Sequence, residues 1–191
     1  MARKTVPIRE ENLGDIPDQC RSCSHWSMKT RDNIERLLRE WGSCGFILYE
    51  NKKPAGFVIY GPAKYFPKSG LYPVSPISRD AVFISCLYVE PGARDKGSGK
   101  RLLNAVEKDA LEREFVALEA LAGRDQDTPP AVPVEFFIDN GFYVLRDDRR
   151  HPLVRLDIKS LAAWREKAEE AIERLTVKSA GKAPVKAPAC S

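Results

Sequence analysis

The chain of 191 residues lacks any apolar run near the roughly 20 residues that a membrane-spanning helix needs. Arg3 and Lys4 lie near the N-terminus with no apolar stretch behind them, so no secretory leader is read and a cytoplasmic location is expected. Histidine is scarce, with two in the chain, and a single Cys-x-x-Cys pair occurs, at Cys20 and Cys23. A closed zinc site takes four ligands, and no second such pair exists. With His25 and Cys44 as possible partners, the pair reads as half a zinc site, a redox pair or two ordinary thiols. We adopt the last and expect no metal. Charge excess is also small. The net charge is +4, and three of those charges, Lys178, Lys182 and Lys186, sit in a tail without acids. The body is then near neutral, so no broad basic surface for nucleic acid is indicated. Neither nucleic acid nor a membrane is expected as a partner.

What is present suits one domain. Hydrophobic residues make up 43% of the chain, enough to bury a sizeable core. Residues 1–27 read as an irregular segment. Ile34, Leu37, Leu38 and Trp41 fall at helical spacing behind Thr30, a capping residue. Residues 46–50 and 55–61 read as a hairpin. Residues 62–79, broken by four prolines and a glycine, read as a long loop of functional or mobile character. The best strand is 81–89, apolar almost throughout, as in a strand covered on both faces. A helix from 99 to 113 and a strand at 115–121 follow, so 81–121 predicts a parallel pair with a right-handed crossover. Beyond a Pro-rich stretch come a short helix from 134, ended by Gly141, and strands at 142–148 and 152–158. Leu161, Trp164, Ala168, Ile172 and Leu175 predict an amphipathic helix over 159–178. A disordered basic tail is expected at 179–191.

One stretch carries chemistry. Arg94-Asp95-Lys96-Gly97-Ser98-Gly99-Lys100-Arg101 lies between the strongest strand and an amphipathic helix. Its glycines let the backbone approach a ligand, and the helix start adds unpaired N–H donors and partial positive charge. Lys96, Lys100 and Arg101 add full charges, so the stretch is built to hold phosphate. It is not a Walker A loop, because Ser98 follows Gly97 where lysine is needed. It is not the dinucleotide Gly-x-Gly-x-x-Gly either, because residue 102 is Leu.

Arg94-x-x-Gly97-x-Gly99 resembles the Gln/Arg-x-x-Gly-x-Gly/Ala signature of the GNAT (Gcn5-related) acetyltransferases. Leu87-Tyr88-Val89-Glu90-Pro91 before it, and Phe136-Phe137-Ile138-Asp139-Asn140-Gly141-Phe142 downstream, are similar to further segments of that family. The resemblance covers about residues 28–158. It implies an α/β (α+β) fold, a mixed central β-sheet flanked by helices. It also implies acetyl-CoA as co-substrate, an amine acceptor and, as an allowed assembly, a homodimer. By position, Leu87, Tyr88 and Val89 would meet the pantetheine and acetyl groups. Arg94, Asp95, Lys96, Gly97, Ser98, Gly99 and Lys100 would meet the pyrophosphate.

The resemblance also points to proton-handling groups. Glu119 matches the position of a base in some protein N-terminal acetyltransferases. The alternative is a Glu at a strand end, exposed or paired with an arginine. The tyrosine that often serves as acid is replaced by Phe137, which leaves Tyr143 or Tyr88 to substitute. The Asn that often contacts CoA is missing where Thr128-Pro129-Pro130 stand. Trp26, Tyr60, Tyr65, Phe66, Tyr72 and Tyr88 are candidates to face the acceptor, or else pack the loop onto the body. An N-acetyltransferase is expected. A catalytically degenerate acyl-CoA-binding regulatory module is the alternative.

Overall fold

The computed structural model describes residues 2–21, 30–124 and 132–158. The helix expected over 159–178, the tail at 179–191, and Cys23, His25 and Trp26 lie outside the described residues.

Seven strands form one mixed sheet in the order β1-β2-β3-β4-β5-β7-β6. β1 (Arg3–Pro7), β2 (Gly45–Glu50), β3 (Lys53–Gly61) and β4 (Ala81–Val89) pair antiparallel in succession. β5 (Ala117–Leu121) lies parallel to β4, and β7 (Leu153–Asp157) and β6 (Tyr143–Arg146) complete the sheet antiparallel. Among the described residues the α-helices are α1 (Asp18–Arg21), α2 (Thr30–Trp41), α3 (Ser98–Glu112) and α4 (Val134–Asp139). This is the mixed sheet flanked by helices that the sequence predicts.

Alternation along the strands sorts the core into two faces. Ile47, Phe57, Ile59, Phe83, Leu121 and Leu153 pack with Ile34 and Leu37 of α2 in one cluster. Val58, Val82, Leu118 and Ala120 are buried on the other side, where α3 lies against the sheet and buries Leu102, Leu103, Val106 and Ala110. The crossover from β4 through α3 to β5 therefore has a hydrophobic reason: α3 covers the face that α2 leaves open.

Two local features differ from the sequence reading. Residues 3–7, placed in an irregular segment, form an edge strand paired with β2 from Arg3↔Glu50 to Pro7↔Phe46. An edge strand is selected by its partner's free N–H and C=O groups more than by its own pattern, and Pro7 is tolerated at such an edge. The loop 62–79 is not loose. It folds as two 3-10 turns, Ala63–Tyr65 and Pro67–Leu71, and buries Tyr65, Phe66, Val74 and Ile77 in the α2-side cluster. Elsewhere the reading holds closely. The hairpin turn needs only Asn51 and Lys52, both at positive φ (51° and 68°), as a two-residue type I′ turn requires.

The far end of α3 is pinned. Tyr60 of β3 donates its hydroxyl to Asp109 Oδ2 (2.6 Å), which also accepts from Arg113 Nε (2.6 Å). Arg113 Nη1 reaches the Trp41 carbonyl at the end of α2 (3.0 Å). Burial first, then the Asp109 bond, pushes the Tyr60 phenol well above its usual range, so it stays a donor. These contacts fix α3 against β3 and α2, and so fix where its N-terminus points.

Leu103 is fully buried on α3. Leu103→Ala should lower stability by about 2–5 kcal/mol, read as a lower urea midpoint with an unchanged denaturant slope.

Candidate functional site

β4 and β5 pair only from Ala81↔Ala117 to Ile84↔Ala120, then part. The parting follows an irregularity. The β3–β4 register shifts between Ile59 and Tyr60, leaving Ser85 as an extra residue in β4. Its hydroxyl donates to the Ile59 carbonyl (3.1 Å) and holds the bulge. Past it, Glu90 gives its N–H to the Ala55 carbonyl on the β3 side. Antiparallel alternation then turns the backbone groups of Leu87 and Val89 away from β3, toward the side β5 has left. The carbonyl of Val89 is met there by Arg94 Nε (3.0 Å).

The strand leads through a short turn, Pro91–Ala93, into the expected phosphate loop. Asp95 (φ 57°) and Gly97 (φ 76°) are both left-handed, a local conformation that turns successive N–H groups into an anion-binding concavity. The first backbone bond of α3 runs from Arg101 N–H to the Gly97 carbonyl (3.0 Å). The amides of Ser98, Gly99 and Lys100 therefore have no partner within the helix. Ser98 is buried, and its hydroxyl has no hydrogen-bond partner. Such an orphan at a helix start fits a bound anion. Gly99 is required for space: a Cβ there would come within 2.8 Å of the Phe136 ring of α4. Lys96 folds back to the Gly92 carbonyl (2.7 Å), while Lys100 and Arg101 are exposed beside the first turn.

The two proton-handling candidates lie elsewhere. Register places Phe83, Glu119, Arg155 and Tyr143 in one row across the sheet. Glu119 is fully buried. Its Oε1 accepts from Arg155 Nη1 (2.8 Å) and its Oε2 from the Ser78 amide (2.9 Å). Arg155 also holds Asp80 through two bonds (2.8 and 3.1 Å) and Asp157 (2.8 Å). Its guanidinium keeps the Asp80 carboxyl below the usual carboxylate range. The pairing with an arginine, the alternative reading of Glu119, is thus what the fold contains. Tyr143 stands on the outer strand β6 and donates to Asp157 Oδ2 (2.9 Å). Partial burial and that bond raise its pKa.

Of the aromatics expected near an acceptor, Tyr60, Tyr65 and Phe66 are core. Tyr88 and Tyr72 are half-buried. Tyr88 lies on the parted segment of β4 beside Glu90, which with burial raises its phenol pKa. Tyr72 packs edge-on against His151 (5.2 Å between centroids), and the Arg146 guanidinium donates to the Pro76 carbonyl. These contacts dock the 62–79 segment on the β6–β7 hairpin. The sequence gives no sign of the pairing of His151 with Tyr72 or of Arg155 with Glu119 and Asp80, because these partners lie 36 to 79 residues apart in the chain. Phe137 is buried between Phe136 and Phe142, a packing residue with no proton to give. Cys44 is buried, which pushes its thiol up to about 12, so it stays protonated and inert.

The family model described as acetyltransferase (GNAT) family matches residues 10–134. Among solved structures the chain is similar to Ard1 from Thermoplasma volcanium, at 16% identity and a TM-score of 0.57, covering 82% of this chain and 98% of that one. It is also similar to the PaiA N-acetyltransferase from Thermoplasma acidophilum in complex with coenzyme A (16%, 0.54, 82% and 99%). The loading GNATL domain of CurA from Lyngbya majuscula is a third (15%, 0.59, 84% and 100%). At such identities the likeness is one of fold. No curated protein matches significantly.

Gly97→Ala meets no atom within 4 Å but must hold φ at 76°. It should cost about 1–2 kcal/mol, seen as a lower urea midpoint, and weaken binding of phosphate-bearing ligands in titration calorimetry.

Proposed function

The chain belongs to the acetyltransferase (GNAT) family, and on that premise we propose that it transfers an acetyl group from acetyl-CoA to an amine by direct attack. The observation that carries this reading is the left-handed loop at Asp95 and Gly97. It sits at the mouth of the parted β4–β5 edge with the orphaned Ser98 hydroxyl and the free first-turn amides of α3. A pyrophosphate on that loop would leave the thioester arm running along β4. There it would meet the backbone groups of Leu87 and Val89 that have no strand beside them.

The chemistry follows from that placement. An amine nitrogen attacks the thioester carbonyl, and its oxygen gains negative charge. A backbone N–H of Leu87 or Val89 aimed at that oxygen would stabilise the charge in a water-poor cleft. The C–S bond then breaks, the thiolate takes up a proton and the amine loses one. For the proton to the thiolate we assign Tyr88 in preference to Tyr143, because Tyr88 lies on the parted segment of β4 and Tyr143 on the outer strand β6. For Glu119 we assign an anchoring role. Both of its oxygens are already engaged in a fully buried position, by Arg155 and the Ser78 amide. The acceptor reaches the cleft from the side of Tyr72, Tyr88 and the β6–β7 hairpin.

Titration calorimetry with acetyl-CoA, then a thiol-release assay over a panel of small and peptidyl amines, tests the reading. Binding followed by thiol release with at least one amine is expected. Binding without release would replace the enzyme by an acyl-CoA-binding regulatory module, and no binding would remove both. Tyr88→Phe should lower kcat by about 10²-fold or more with CoA affinity retained.

A further inference from the structure

The N-terminal strand reaches the phosphate loop. Arg3 and Glu50 face each other across β1 and β2. The Glu50 carboxylate takes Arg3 Nε and Nη2, both at 3.0 Å on Oε1. The pair is mostly shielded, with side-chain exposures of 23% and 15%, so the guanidinium is held in one orientation. Its remaining arm, Nη1, donates to the backbone carbonyl of Lys96 at 2.6 Å, across 93 residues of sequence. Lys96 is the residue between the two left-handed positions, Asp95 and Gly97.

We propose that Arg3 is a positioning residue for the phosphate loop, acting as a lock on the Lys96–Gly97 peptide. In a trans peptide the carbonyl and the following N–H point in opposite directions. A carbonyl held outward by Arg3 therefore aims the Gly97 N–H to the opposite side, with the first-turn amides of α3. Were this peptide to turn over, a carbonyl oxygen would face the anion and repel it. The isolated loop offers little resistance to such a turn, because it changes φ at Gly97, a glycine already at 76°, against which no Cβ stands. A cation from another element supplies that resistance through a charge-assisted bond. Linkage runs both ways: a ligand that favours the outward carbonyl must also tighten β1 on the sheet.

The inference rests on reading the loop as a phosphate cradle, so its test has an arm that needs no ligand. Hydrogen exchange on the full chain without ligand should show faster exchange or altered loop protection at residues 95–100 in Arg3→Ala than in wild type. With CoA as probe, calorimetry should show about tenfold weaker binding by Arg3→Ala. Arg3→Lys, which keeps the charge but not the fork, should fall between the two. Lys4→Ala, on the other face of the strand, should bind as wild type does. CoA should slow exchange at residues 3–7 in wild type and not in Arg3→Ala. Unchanged loop exchange without ligand, or equal CoA affinity of wild type and a folded Arg3→Ala, would overturn the lock. Failure of wild type itself to bind CoA, with loop exchange still altered in Arg3→Ala, would overturn the cradle and leave the contact as a loop anchor.

Discussion

A sheet that parts in its middle leaves backbone donors and acceptors with no ladder partner, and the rest of this site is arranged around that constraint. β4 and β5 share four registered pairs and then separate beyond Ile84 and Ala120. Unpaired backbone groups inside a protein must find other partners. The Ser85 bulge and its bond to the Ile59 carbonyl let β4 stay on β3 while β5 leaves. The Arg94 side chain satisfies the Val89 carbonyl. What stays open is the inner edge of β4 and the start of α3, where the proposed thioester arm would lie.

The second constraint is charge in a dry place. Glu119 has no exposed surface, yet it carries a carboxylate in the middle of an apolar strand. Such a group persists only if paired and hydrogen-bonded. Arg155 from the neighbouring strand and the amide of Ser78 do both. Because Ser78 ends the 62–79 segment, the same bonds anchor the wall on which Tyr72 meets His151. The residue expected as a base by position is thus tied to the 62–79 segment through Ser78.

The elements with the strongest patterns were legible. The apolar run 81–89, the glycine loop and the Leu-rich helix behind it appear within a residue or two of where periodicity puts them. β1 was not legible, because Arg3–Pro7 has no alternation of its own and pairs with β2 through main-chain groups that any residue supplies. The 62–79 segment reads as a long loop of functional or mobile character because its prolines and glycine exclude regular structure. The burial of Tyr65 and Phe66 shows that irregular backbone can still be core.

The line between the two kinds of knowledge follows the range of the interactions. The proposed phosphate loop is a local conformation, two left-handed residues followed by a helix start, so a run of eight residues is enough to show it. The fold class came from the family resemblance of that loop and its flanking segments, while the stronger strands and helices show their periods within their own length. Which acid or hydroxyl meets the thioester depends on contacts between residues tens of positions apart. Arg155 claims Glu119, Asp157 claims Tyr143 and Arg3 claims Lys96 only after the sheet has placed them side by side. No local pattern encodes such meetings, since register between strands fixes them.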